Sequence, residues 1–304
     1  MPPEPTSTVR LKYSVDLDYN VLTAGSDFIF NVQASHTRQQ HVLHETLTLS
    51  QPVLPHAYVD PATQARQLRL RANVGQLKLH YDAVLDVTHH RASPATLAET
   101  WIPNLPGQVL PYLYPSRYCE SDKLNRFAMI QFGGMWQGYG RVQAIRDWVN
   151  ANVAFVSNSS SGTTTACDTL IAKQGVCRDF AHLMIALCRA VNIPARFTTG
   201  IDFGADPALG PQDFHAYVEA YVGGRWWMFD PSGTAIPMGF IRLSTGRDAS
   251  DAAFASIFGG VSMGALNISI EAIPGADGVL RVPVHGSDAL STDDGAVPPM
   301  LLPA

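Results

Sequence analysis

Gln174-Gly175-Val176-Cys177-Arg178-Asp179-Phe180-Ala181-His182-Leu183 sets a cysteine between a glycine turn and a strongly periodic apolar segment. Phe180, Leu183, Met184, Leu187 and Val191 fall at i, i+3, i+4, i+7 and i+11, one face of an amphipathic helix. Pro194 cannot continue that helix, so it ends earlier. Cys177 is therefore expected at or near a helix N-terminus. Unpaired backbone N–H groups and the positive end of the helix dipole favour a thiolate there.

Two later segments supply what a thiolate lacks. His215 opens Phe214-His215-Ala216-Tyr217-Val218-Glu219-Ala220-Tyr221-Val222, which is rich in aromatic and β-branched residues and reads as a strand. Gly223-Gly224 is a turn signal. Arg225-Trp226-Trp227-Met228-Phe229-Asp230 reads as the returning strand, stopped by Pro231. A turn centred between Val222 and Gly223 would set His215 directly opposite Asp230, with both side chains on one face. The expected constellation is a triad: Cys177 as nucleophile, His215 as base, Asp230 orienting the imidazole and stabilising its charged form. The Cys177 backbone N–H is the natural first oxyanion donor. Gln174 and Trp136 are candidates for the second or for the cleft wall.

Gly-Val-Cys-Arg-Asp-Phe-Ala-His at 175–182, Ile-Pro-Ala-Arg at 193–196, Asp-Phe-His-Ala-Tyr-Val-Glu at 213–219 and Trp-Trp-Met-Phe-Asp-Pro-Ser-Gly at 226–233 together resemble the core of bacterial transglutaminase-like cysteine proteins. Tyr114 to Asp122 is similar to the segment that joins that family's N-terminal β domain to its core. The resemblance is strongest over about 110–260, and the motifs are specific only in combination and order. It implies an α+β protein: an N-terminal antiparallel β-sandwich, then a transglutaminase-like (papain-like) core whose cysteine-bearing helix packs on an antiparallel sheet. It implies a cysteine protease or amidase, a hydrolase working through a thioester intermediate on a protein or peptide substrate. Transamidation is the first alternative, since the triad serves acylation in both. Acyl transfer like that of arylamine N-acetyltransferases has a different cysteine motif. A non-catalytic binding scaffold is the alternative from another class.

Composition agrees with a folded globular chain of one large or two ordinary domains: 304 residues, 46% hydrophobic, 15% charged. A net charge of -5 gives no reason to propose nucleic-acid binding. No apolar run approaches a membrane span, and Met1 to Ser7 lacks the basic and apolar regions of a secretory signal, so a cytoplasmic location is expected. Cys119, Cys167, Cys177 and Cys188 have no CxxC spacing and are expected as free thiols, with neither zinc nor a disulfide framework. No cofactor is expected.

Along the chain, residues 8 to about 95 alternate apolar and polar in short runs, the pattern of an antiparallel sandwich. The seven histidines of this half (His36, His41, His44, His56, His80, His89 and His90) match no ligand spacing and read as scattered. Residues 96–125, rich in Pro and Tyr, read as a packed strap between domains. Residues 126–274 are expected to form the catalytic core, with helices over Leu124–Ala128 and Arg141–Asn150 and a mobile Ser/Gly/Thr loop over 157–165. Strands are expected over Pro194–Ile201, Ala235–Ile241 and Val261–Ile273. Asp202, Asp206 and Asp213 sit in a loop that could bind calcium but reads as solvated, since the spacing is not that of an EF-hand. From Gly275 a polar, loop-like tail is expected, losing order beyond about 290. Composition does not set the oligomeric state.

Overall fold

The structure, a computed structural model, describes residues 8–205 and 211–293. Asp206 and the end of the tail lie outside the described residues. Seven strands come first: β1 (Val9–Val21), β2 (Ser26–Phe30), β3 (Gln40–Leu49), β4 (His56–Val59), β5 (Arg66–Ala72), β6 (Gly75–Val87) and β7 (His90–Ala92). After three short 3₁₀ turns come α1 (Ser121–Phe132), α2 (Tyr139–Asn152), β8 (Ala154–Phe155), α3 (Ala166–Ala172), β9 (Gln174–Gly175) and α4 (Cys177–Ala190). The chain continues through β10 (Ala195–Asp202), β11 (His215–Val222), β12 (Arg225–Phe229), β13 (Phe240–Gly246), α5 (Ala249–Ala252), β14 (Ala255–Phe258), β15 (Val261–Ile273) and β16 (Ala289–Ser291).

Strict alternation along β1 and β6 buries every second side chain, as one inner face of a sandwich requires. The two antiparallel sheets run β15-β1-β6-β3 and β14-β2-β5-β4. Their shared core holds Tyr13, Tyr19, Phe28, Phe30 and Tyr81.

This arrangement corrects the expected domain limits. Residues 255–273, assigned from the sequence to the catalytic core, complete the sandwich instead. β15 pairs with β1 from Arg10↔Ile273 to Val21↔Val261, and β14 pairs with β2. The reason is edge satisfaction: without β15, the thirteen-residue β1 would present an unpaired edge. The tail differs as well. Ala289–Ser291 pairs with His90–Ala92 and is buried. Of the predicted strand over Ala235–Ile241, Pro237–Gly239 is a 3₁₀ turn and β13 begins only at Phe240.

The central sheet, ordered β12-β11-β10-β13, is buried on both faces. Ala216, Val218, Ala220 and Val222 pack in the core around α4. Ile201, Tyr217, Met228, Phe240, Ile241 and Leu243 pack in the core of the sandwich. Sandwich and helical layer therefore share this sheet. α4 itself is buried all round from Asp179 to Ala190, because α1, α2 and α3 cover the side that the sheet leaves free. The connector packs Leu105 and Val109 against Tyr221 and Trp226, with Tyr112 edge-on to Trp226 at 5.2 Å.

A buried ion network locks the sandwich-side face. Glu219, fully buried in β11, accepts from Arg196 Nε at 2.7 Å and from Arg242. Asp293 accepts from Arg196 at 2.7 Å and lies 3.3 Å from Arg242, so it ties the C-terminal segment to the sheet. Arg196 also stacks over Trp226, 4.3 Å from the ring centroid. Removing one partner of such a network strands the remaining charges. Glu219→Ala is expected to cost about 3–5 kcal/mol, read by chemical denaturation. A loss below about 1 kcal/mol, the scale of an exposed pair, would mean that Asp293 alone satisfies both guanidiniums.

Candidate active site

Local sequence explains how Cys177 reaches its place. Lys173 closes α3 in the left-handed region (φ 54°) and turns the chain into β9. Val176 is extended and caps α4. Asp179, in the first turn of α4, accepts the Val176 N–H at 2.9 Å, so its carboxylate satisfies a helix-start donor. A side chain at Gly175 would come within 2.7 Å of the Asp179 Cβ, so only glycine lets the two approach. Cys177 is then the first residue of α4, partly exposed, with Sγ 3.9 Å from the Phe214 carbonyl oxygen. The other cysteines are free but poor nucleophiles. Burial pushes the Cys119 thiol up to about 12 and Cys167 up to about 11, and raises Cys188 as well.

His215 opens β11, paired with Gly200 of β10. A side chain at Gly200 would collide with the Ile241 carbonyl, and the β10–β13 register shifts at this point. The imidazole packs on Phe240, ring centroids 5.3 Å apart. The β11–β12 hairpin has a different register from that expected. Val222 pairs with Arg225, leaving Gly223-Gly224 as a two-residue loop with φ of 58° and 81°. Such a tight turn needs positive φ at both positions, which two glycines accept. The last pair is Val218↔Phe229, so Asp230 lies just past the ladder rather than opposite His215. The shift is two residues, so parity keeps both side chains on one face.

His215 Nε2 lies 3.4 Å from Asp230 Oδ1, and both residues are buried. Asp230 is held firmly. Oδ1 accepts from Ser232 Oγ at 2.6 Å and Ser232 N at 3.0 Å, and Oδ2 accepts from Ala235 N at 3.1 Å. The loop behind it is fixed by Asn150 Nδ2, which donates to the Pro231 and Ser232 carbonyls at 3.2 and 2.9 Å. Burial opposes a charged imidazole, but the Asp230 charge, together with contacts to Cys177 and the Asp202 charge, outweighs it and holds the His215 pKa well above its ordinary value. Burial likewise opposes the Asp230 carboxylate, yet the imidazolium and the Ser232 and Ala235 donors hold its pKa below the usual range. Asp230 thus favours the protonated form of the imidazole and stands beside the ring, where it can orient it.

The cleft in front is lined by Phe155, Val176, Cys177, Gln212, Phe214, His215 and Thr234, among others. Cys177 and His215 meet there, with Asp230 behind the ring. Gln174 and Trp136 do not join them. Gln174 is exposed on β9 beside Ala154, and Trp136 is 87% exposed in the α1–α2 turn. The Ser/Gly/Thr loop expected to be mobile is anchored instead. Arg178 donates to Ser160 Oγ at 3.1 Å and to the Ser161 carbonyl at 2.7 Å, and Tyr118 donates to the Gly162 carbonyl at 2.7 Å.

Asp202 is the cleft residue that sequence reasoning misplaced. It ends β10 rather than sitting in a solvated loop, and it is 2% exposed. The Gly200↔His215 pair puts it on the imidazole's face, two residues further on. Strand pairing was the only signal that could have found it. Among the described residues, no three His, Cys, Asp or Glu side chains converge as metal ligands.

Comparison with known proteins follows the same outline. A family model for the transglutaminase-like superfamily matches residues 131–231. A crystal structure described as a "Putative Cysteine Protease" from Cytophaga hutchinsonii is 37% identical, covers 94% of this chain and 98% of its own, and superposes with a TM-score of 0.86. An uncharacterised protein of Mycobacterium leprae is 29% identical over 136 residues, 43% of this chain and 48% of its own length. One from Mycobacterium tuberculosis is 29% identical over 124 residues, covering 36% and 40%. The chain spans about half the length, or less, of these curated relatives.

The ion pair has a pH signature. His215 has a raised folded pKa, so its contribution to stability is complete below about 6.5 and is lost as pH rises through the folded value. Asp230 has a lowered one, so its contribution is present above about 3.9 and is lost as pH falls through the folded value. Asp230→Asn is therefore expected to destabilise the protein most between about pH 4 and 6.5. It should also lower the His215 titration midpoint, followed by NMR of the ring Cε1–H. An unchanged midpoint would show that Asp230 does not govern the imidazole.

Proposed function

Because the chain belongs to the transglutaminase-like superfamily, we propose that it is a thiol-dependent acyl-transfer enzyme that hydrolyses peptide, isopeptide or side-chain amide bonds. The observation that carries the reading is the buried His215–Asp230 pair at 3.4 Å beside a cysteine that opens both a helix and a cleft.

In the proposed mechanism His215 takes the Cys177 proton, and the Cys177 sulfur attacks the substrate carbonyl carbon, forming a C–S bond. Charge moves to the carbonyl oxygen, where the Cys177 backbone N–H at the start of α4 is the donor on this chain. Collapse breaks the C–N bond, and the His215 imidazolium gives its proton to the departing amine. The resulting thioester is attacked by water, deprotonated by His215, to release an acid and restore the thiol. Asp230 keeps the imidazole turned toward Cys177 through both halves. Hydrolysis is favoured over transamidation because a crosslinker must keep water from the thioester. Ser157, Asn158, Gln212, Asp213 and Thr234 set polar groups among the apolar side chains of Phe155, Val176 and Phe214 in this cleft, and these polar groups can bind an attacking water.

Incubation with casein, with and without a primary amine, followed by intact-mass spectrometry, tests the proposal. Cleavage or deamidation in the wild type and none in Cys177→Ala is the expected result. Amine incorporation dependent on Cys177 would assign transamidation instead. Independently of any substrate, iodoacetamide is expected to label Cys177 stoichiometrically at neutral pH. His215→Ala should slow that labelling roughly tenfold or more, since the thiolate and not the thiol reacts. Labelling of Cys177 no faster than that of Cys188 would sink the triad and leave a binding scaffold.

A further inference from the structure

Asp202 takes no step in the mechanism above, although its charge helps to raise the His215 pKa, and it lines the same cleft as Cys177 and His215. It is 2% exposed, and its two carboxylate oxygens are treated differently. Oδ1 accepts from Gln212 Nε2 at 2.9 Å, while Oδ2 is buried without a hydrogen-bond partner. An ionised, buried carboxylate oxygen left unpaired is costly, and structures normally satisfy it. Burial is the largest influence on its pKa, which stands above the usual carboxylate value; His215 pulls it down and Asp230 pushes it up. A cation arriving in the cleft would reverse that shift and supply the missing partner.

The rest of the lining points to the same ligand. Asp213 adds a second carboxylate, with Oδ1 on the Phe214 N–H at 2.7 Å. Among the described residues no lysine or arginine lines the cleft. Among the described residues no third ligating side chain converges with these two to make a metal site. Among its described lining residues the cleft beside the nucleophile therefore presents two carboxylates to an incoming chain, with the His215 imidazole as the basic group.

We propose that Asp202 is a specificity-determining residue, which binds a primary ammonium or guanidinium group carried by the substrate beside its scissile carbonyl. The proposal deepens the acyl-transfer reading and rests on Cys177 as the nucleophile. Substrates with Lys, Arg or a free amino group near the bond are then selected. Acidic neighbours are disfavoured, because they set a like charge against Asp202 and Asp213.

The test needs no substrate. Cys177 is labelled with methanethiosulfonates of similar size carrying an ammonium, no charge or a sulfonate. Rates are read by peptide mapping and normalised to 2-mercaptoethanol. In the wild type the ammonium reagent is expected to outpace the sulfonate by roughly tenfold or more, the scale of a charge interaction at an effective dielectric near 20. Asp202→Asn, of the same shape, should collapse that ratio to within about threefold of the free thiol, and Asp202→Glu should retain most of it. A wild-type ratio near that of the free thiol, or a ratio unaltered in Asp202→Asn, overturns the proposal. The neutral reagent separates the two claims. If His215→Ala slows it but no charge preference exists, only the Asp202 proposal fails. If His215→Ala leaves it unchanged, the nucleophile reading fails whatever the ratio.

Discussion

The double-sided burial of the β12-β11-β10-β13 sheet is the constraint from which the rest of the molecule follows. A sheet covered on both faces cannot alternate apolar with polar; it must be apolar throughout or satisfy its polar groups internally. This sheet divides the two solutions between its faces, pairing its main buried charges and leaving a few polar atoms such as Asp202 Oδ2 without a partner. Its α4 face is small and aliphatic, with Ala216, Val218, Ala220 and Val222, so that the helix can lie close. Its sandwich face carries the large rings and the charges. The sandwich and the central sheet share an apolar core across that face.

Burying charge there has a structural return. Glu219 can sit fully buried only because two guanidiniums reach it. Arg196 and Arg242 can be buried only because Asp293 and Trp226 complete their surroundings. The network therefore couples the central sheet to the C-terminal segment, and β16 on β7 is held beside it. The same logic governs His182. It lies on α4 between Tyr118 and Phe197, its pKa is pushed down to about 3 by burial, and its Nε2 accepts the Ala249 N–H at 3.1 Å. Histidines on this helix and on β11 thus have opposite proton affinities. His215 has a buried carboxylate in contact, whereas the Asp248 charge near His182 is too little to offset burial.

At the open end of the sheet these constraints relax into a site. Cys177 opens α4 and His215 opens β11, and the two line one cleft, with Cys177 Sγ 3.9 Å from the carbonyl oxygen of the residue before His215. Asp230, past the end of the β12 ladder, is free of strand geometry and takes its position from Ser232, Ala235 and the loop that Asn150 holds. Rigid support behind the imidazole and a polar, partly open cleft before it are what a thiol-dependent acyl transfer would use.

Much of this is legible in the sequence. Glycine at 175, apolar spacing from Phe180 to Val191 and proline at 194 are local signals, and they placed Cys177 at a helix start. Gly223-Gly224 and Pro231 bounded a hairpin whose parity put His215 and Asp230 on one face; a two-residue slip in register preserved it. What tertiary structure alone decided involves partners distant in the chain. Alternation showed that Val261–Ile273 has an inner face, but not that β1 lies beside it. Nothing near Gln174 or Trp136 revealed that both lie on exposed surface away from the cleft lining. Asp202 read as one acid of a loop until the Gly200↔His215 pairing brought it beside the imidazole. Local propensity and periodicity are properties of neighbouring residues. Which strand pairs with which edge, and which carboxylate is left without a partner, depend on the packing of the whole chain.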